Sequence, residues 1–159
     1  MNRIINKTKI KQNKNKGIFY LSVVYIIIMN NRWTHSNKAV FNIGYHLVWC
    51  PKYRKSVLMS PVKERLNEIL IKKATEIEVL IETIEILPDH VHLFVKSSPV
   101  NSPHYIVQQL KGISSRILRN EFPNLKKIPT LWTRAYYCES VGHISEKTVK
   151  RYIKEQKNK

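Results

Sequence analysis

The sequence predicts an α+β domain in the order β-α-β-β-α-β, an antiparallel sheet with helices on one face, followed by one further helix. Three observations carry that expectation. Four short stretches alternate apolar and polar residues or run apolar between turn signals, as strands do. Two Ser-Pro pairs each open a run of apolar residues at helical spacing. A length of 159 residues with 43% hydrophobic content fits one domain with an ordinary core. The order is that of the ferredoxin-like split βαβ fold, shared with RRM-like domains.

Taken in order, residues 1–28 stand apart. Arg3, Lys7, Lys9, Lys11, Lys14 and Lys16 carry six of the net +17 charges with no acid among them, and an apolar run from Ile18 to Met29 follows. A basic stretch before an apolar one resembles a signal peptide or anchor. This run is too short to span comfortably and holds a serine and tyrosines. Translation from Met29 is therefore expected, with 1–28 a basic and apolar extension outside the fold and a single domain over 29–159.

The first strand covers Phe41–Trp49, where Phe41, Ile43, Tyr45, Leu47 and Trp49 alternate with Asn42, Gly44, His46 and Val48. Lys52, Tyr53 and Arg54 form a basic-aromatic patch at its exit. Ser60-Pro61 reads as cap and first residue of a helix to about Ile77, and Glu78–Leu87 as the second strand. A Pro88-Asp89 turn leads into a third strand that begins His90-Val91-His92. Ser102-Pro103 starts a second helix that Phe122-Pro123 stops, with Lys111, Arg116 and Arg119 off its apolar stripe. Arg134–Val141 is the fourth strand, and Ser145 caps a last helix, Glu146 to about Gln156, with an acid in its first turn.

Charge bounds the partner. Lys+Arg outnumber Asp+Glu 28 to 11, giving +17 and a pI near 10.0, which predicts a polyanion such as nucleic acid. Without the six N-terminal charges the remainder is still +11. Cys50 and Cys138 are too few for a disulfide framework and lack zinc spacing, so they read as reduced thiols in a cytoplasmic protein.

Successive side chains of a strand point to opposite faces, so His90 and His92 share one face while Val91, Leu93 and Val95 take the other. Two neutral imidazoles side by side suit a divalent metal. In the last helix Tyr152 and Gln156 are four apart and lie on one face, beside an apolar stripe of Val149 and Ile153 and among Lys150, Arg151 and Lys154.

The chain from about Asn30 onward resembles the HUH single-tyrosine transposases (the TnpA type) of small bacterial insertion sequences. The resemblance rests on Tyr45-His46-Leu47-Val48-Trp49-Cys50-Pro51-Lys52-Tyr53-Arg54, on Leu87-Pro88-Asp89-His90-Val91-His92, on Tyr136-Tyr137 with Ser140-Val141-Gly142, and on Tyr152-Ile153 with Gln156. It implies that His90, His92 and Gln156 hold Mg²⁺ or Mn²⁺ and that Tyr152 is the nucleophile. It implies cleavage and rejoining of single-stranded DNA bearing hairpins at element ends, through a 5′-phosphotyrosine bond. It also implies a homodimer in which one subunit's tyrosine helix can serve the other's histidines. Lys111, Arg116, Arg119, Lys52, Arg54 and Arg151 would then contact phosphates, and Tyr53 or Trp132 would stack on bases. His46 is an auxiliary site candidate. His35, His104 and His143 read as surface or helix-end residues. No small-molecule cofactor and no membrane is expected, and the protein would be nucleoid-associated when bound to DNA.

Other classes fit less well. An inactive or domesticated nucleic-acid-binding protein of the same fold is the alternative. An RNA-binding module of this topology fits less well, because its strand aromatics are missing where His90 and His92 stand. The paired His-x-Ser/Thr motifs of two-histidine phosphoesterases are absent, as is a P-loop.

Overall fold

Alternation along the first strand sorts its side chains to two sides of a sheet. The computed structural model describes residues 34–35, 39–142 and 146–155. The residues from Phe41 onward form one compact unit. The expected 1–28 extension lies outside the described residues. Two two-residue strands, Thr34–His35 and Val40–Phe41, lie outside the main sheet.

The main sheet has four strands: β1 (Ile43–Trp49), β2 (Leu80–Leu87), β3 (His90–Ser97) and β4 (Tyr137–Val141). Their spatial order is β2-β3-β1-β4, with every neighbouring pair antiparallel. The helices are α1 (Val62–Glu76), α2 (Pro103–Glu121) and α3 (Glu146–Glu155). This is the α+β ferredoxin-like order expected, with β1 and β3 central.

Leu47 and Trp49 of β1 and Val91, Leu93 and Val95 of β3 are buried in one cluster with Leu66, Ile69 and Leu70 of α1 and Ile106 and Leu110 of α2. Burying five such side chains at roughly 1.5–3 kcal/mol each makes this face the main source of stability. The opposite parity, His46, His90, His92 and Phe94, faces the other way. That face is not left bare. Ile153 of α3 is fully buried on it against Phe94 and Val141, with Val149 beside them, and Lys150 donates to Glu82 at 2.7 Å. The third helix thus crosses the histidine side of the sheet.

Local signals explain most element ends. Ser102 accepts the Tyr105 backbone N–H and Pro103 opens α2, as a capped helix start requires. Ser60 departs from expectation: its hydroxyl donates to the Glu64 carboxylate at 2.5 Å and leaves the start of α1 without a side-chain cap. The fourth strand begins at Tyr137 rather than Arg134, because the carbonyls of Thr133, Arg134 and Ala135 turn to the Lys111 ammonium instead of a ladder. Among the described residues no helix is long and apolar enough to cross a membrane.

Candidate active site

The histidine face owes its geometry to the registers of three strands. Pairing of β1 with β3 sets His46 opposite Phe94 and Val48 opposite His92, which makes His46 and His92 diagonal neighbours on one face. The rings of His90 and His92 lie 4.8 Å apart, centroid to centroid. His92 and His46 stack nearly parallel, 5.5 Å apart and 16° from coplanar. Pairing of β1 with β4 brings Glu139 opposite His46 and Tyr137 opposite Val48.

Tyr152 reaches this cluster from α3. Its ring lies 6.0 Å from that of His92 and 6.3 Å from that of His46, edge-on to both, and it is 47% exposed. Its neighbour Ile153 anchors the helix, so a buried apolar residue fixes a half-exposed phenol one position away. Tyr137 meets His46 from the other side at 5.8 Å.

Hydrogen bonds orient the imidazoles. His90 Nδ1 donates to the Asp89 carboxylate at 2.5 Å. Asp89 in turn accepts two hydrogen bonds from the Arg54 guanidinium, at 2.8 and 3.1 Å. Burial works against ionising Asp89, but the bonds from His90 and Arg54 outweigh it and hold the carboxyl below its usual range. His92 Nδ1 lies 3.2 Å from His46 Nε2, a buried pair. Burial, followed by the proximity of His90 and His46, pushes His92 down to about 4. Burial likewise lowers His46, against the pull of Glu139. Both rings are neutral at physiological pH, the form in which imidazole ligates metal.

The sheet therefore presents two adjacent imidazoles, each with its Nδ1 within hydrogen-bond distance of a partner, a donor type that fits a divalent cation. Among the described residues no group of three or more His, Cys, Asp or Glu is arranged to hold a metal. Gln156, the expected third ligand, lies outside the described residues.

This arrangement has relatives. A family model described as "Transposase IS200 like" matches residues 39–156. The chain belongs to the IS200-like transposase family. It is 34% identical over 123 residues to the ISDra2 transposase TnpA of Deinococcus radiodurans, covering 76% of this chain and 88% of that one. It is 33% identical over 119 residues to the IS200 transposase of Salmonella typhimurium, covering 73% and 78%. A crystal structure of a candidate transposase from Deinococcus radiodurans superposes with TM-score 0.66 at 32% identity, over 77% of this chain and 97% of that one. A REP-associated tyrosine transposase bound to a REP hairpin shares the fold, with TM-score 0.59 at 12% identity over 77% and 72%.

The remaining residues expected at an IS200-like site divide into three groups. Arg54 meets His90 through Asp89, and Arg151 precedes Tyr152 on α3 with its head 3.8 Å from Glu155. Lys52 and the exposed Tyr53 share the turn before Arg54, where Tyr53 (φ 61) and Arg54 (φ 50) adopt the left-handed region. Arg116 and Arg119 belong instead to α2, on the helical side, and line a shallow groove with Ser115, Asn120 and Lys126.

Two expectations are corrected. Lys111 is not a free phosphate contact, because its half-buried ammonium donates to the carbonyls of Thr133, Arg134 and Ala135 at 2.9–3.3 Å. Trp132 does not present a stacking surface: it is 5% exposed, packs edge-on to Trp49 and donates Nε1–H to Ser114. A run of polar residues beside an aromatic looks the same in sequence whether it faces DNA or a neighbouring loop. The structure also sets Asp89, Tyr137 and Glu139 beside the histidines, residues given no site role from the sequence. Asp89 could have been found as a carboxylate adjoining a ligand histidine; the β4 pair needed the strand register.

Proposed function

We propose that this transposase cleaves and rejoins single-stranded DNA at insertion-sequence ends through a covalent tyrosine intermediate, with Mg²⁺ or Mn²⁺ as cofactor. The observation that carries the reading is the half-exposed Tyr152 phenol set against His92 and His46 of the same chain. His90 and His92 would hold the cation, with Gln156 completing the set. A bound divalent cation supplies electrostatic stabilisation to a scissile phosphate.

The chain's own residues do the rest. Tyr152 Oη forms a bond to phosphorus as the P–O3′ bond breaks, so the 5′-phosphate stays on the tyrosine and the 3′ oxygen leaves as a hydroxyl. Attack by a 3′-OH on the phosphotyrosine reverses the step and conserves the phosphodiester, so no nucleotide cofactor is consumed. Arg54, Arg151 and the Lys52–Tyr53 turn would steer the strand backbone and bases. Arg116 and Arg119 form a second basic surface on the helical side, suited to a duplex stem. A hairpin as substrate is supported by the structural neighbour bound to a REP hairpin. Each copy carries the same helix and the same docking face, so in a homodimer α3 fits its own sheet or its partner's.

The test uses end-labelled single strands copied from the DNA flanking the gene, incubated with protein and Mg²⁺ or Mn²⁺ and run on a denaturing gel. The expected result is a slow-migrating adduct carrying the downstream fragment, lost in Tyr152→Phe while binding persists. An adduct that survives Tyr152→Phe assigns the nucleophile elsewhere. Binding without any adduct identifies a non-catalytic DNA-binding protein.

A further inference from the structure

The two histidines of the site differ in what holds them. His90 gives its Nδ1 proton to a carboxylate, which can only accept. That bond forces the Nδ1–H tautomer and leaves a lone pair on Nε2. His92 is held differently. The neighbour of its Nδ1 is the His46 Nε2, 3.2 Å away, with both residues only 6% exposed.

A hydrogen bond between two neutral imidazoles has two forms. If His46 donated, the single proton of His92 would sit on Nε2 and that atom would have no lone pair to offer a cation. If His46 accepts, His92 carries its proton on Nδ1 and its Nε2 is free. Only the second form makes His92 chemically equivalent to His90. It also places the proton of His46 on Nδ1.

We propose that His46 is a positioning residue: its Nε2 accepts the Nδ1–H of His92 and fixes the tautomer and plane in which His92 ligates a cation. This rests on the reading of His92 as a metal ligand. Pairing between β1 and β3 supplies the acceptor from a rigid central strand, as Asp89 supplies it to His90 from the turn. Such outer partners orient a ligating histidine and raise its basicity, and their loss costs about 10–100-fold in metal affinity.

Two measurements separate this role from simple packing. In ¹⁵N-labelled protein near neutral pH, long-range ¹H–¹⁵N correlation reads the His92 tautomer directly, without metal. Protonated Nδ1 in the parent protein is expected, with a shift toward protonated Nε2 in His46→Phe, which keeps a ring of similar size and removes the acceptor. Mn²⁺ affinity, read from the free-ion electron paramagnetic resonance signal without DNA, should fall about 10–100-fold in His46→Phe. It should return to within a few-fold of the parent in His46→Gln, whose amide oxygen can accept.

A parent His92 protonated on Nε2 overturns the proposal, as does unchanged Mn²⁺ affinity in His46→Phe. Equal losses in His46→Phe and His46→Gln, with the tautomer unchanged, also overturn it by reducing His46 to packing. If the parent binds Mn²⁺ no better than a His90→Ala, His92→Ala double variant, the metal reading fails instead. The tautomer measurement on the parent then still decides the His46–His92 bond, and it needs no variant to fold.

Discussion

Replacing Ile153 with alanine should separate the docking of α3 from the stability of the rest of the domain. Ile153 is fully buried, yet its cluster is small: Phe94, Val141 and Val149. The main core on the other side of the sheet does not include it. Truncating a buried isoleucine to alanine costs about 2–5 kcal/mol. The lower end applies here, because a short helix at the surface can settle into the gap. A loss of about 2 kcal/mol lowers the docking equilibrium about 30-fold. Ten residues make a helix that is marginal by itself in water, so undocking and fraying coincide. Hydrogen exchange is the assay: α3 amides should lose protection by about that factor while amides of β1 and β3 keep theirs, and adduct formation by Tyr152 should slow in parallel. Equal loss of protection in α3 and the central strands would refute the argument, since Ile153 would then belong to the global core.

Three further outcomes follow from the same contacts. Gly44→Ala would place a Cβ 3.0 and 3.1 Å from ring carbons of Phe94; with Ile153 seated on that ring, we expect a cost of about 1–3 kcal/mol, read as a lower melting temperature and faster exchange in α3. Lys111→Met should lower thermal stability by releasing three carbonyls and leave the salt dependence of DNA binding unchanged, whereas Arg116→Ala with Arg119→Ala should flatten that dependence. The metal-free protein should lose stability as pH falls from about 6.5 to about 4: His92 has a folded pKa of about 4 against about 6.5 unfolded, so in that window the unfolded chain binds the extra proton. His92→Asn should flatten the melting-temperature profile over that range, and an unchanged profile would place the acid sensitivity elsewhere.

The topology was legible because its signals are local. Alternation in Ile43–Trp49, the Ser102-Pro103 start and the Phe122-Pro123 stop act over a few residues each, and tertiary packing did not override them. The histidine pair was legible for the same reason, since strand parity alone puts His90 and His92 on one face. Register was not. Nothing in the linear sequence states that Val48 pairs with His92, and that pairing is what brings His46 Nε2 to His92 Nδ1. Nor could sequence decide between solvent and carbonyl for Lys111, or between base and indole for Trp132. In both cases the deciding partner lies about twenty residues away in sequence, the Thr133–Ala135 segment for Lys111 and Ser114 of α2 for Trp132.

The site is built from parts of unequal rigidity, and the energetics say why that suits the chemistry. His46, His90 and His92 stand on the two central strands, whose other faces are buried in the main core, so their geometry moves only if the domain unfolds. Tyr152 stands on a ten-residue helix held by one small apolar cluster and the Lys150–Glu82 pair. In the proposed reaction a phenol joined to a DNA strand must later present that strand to a different 3′-OH. A helix whose docking costs a few kcal/mol can release and reseat without disturbing the ligands, whereas a tyrosine on β1 or β3 could not. Strengthening α3 docking should then favour the cleavage step over exchange of strands, the opposite direction from Ile153→Ala.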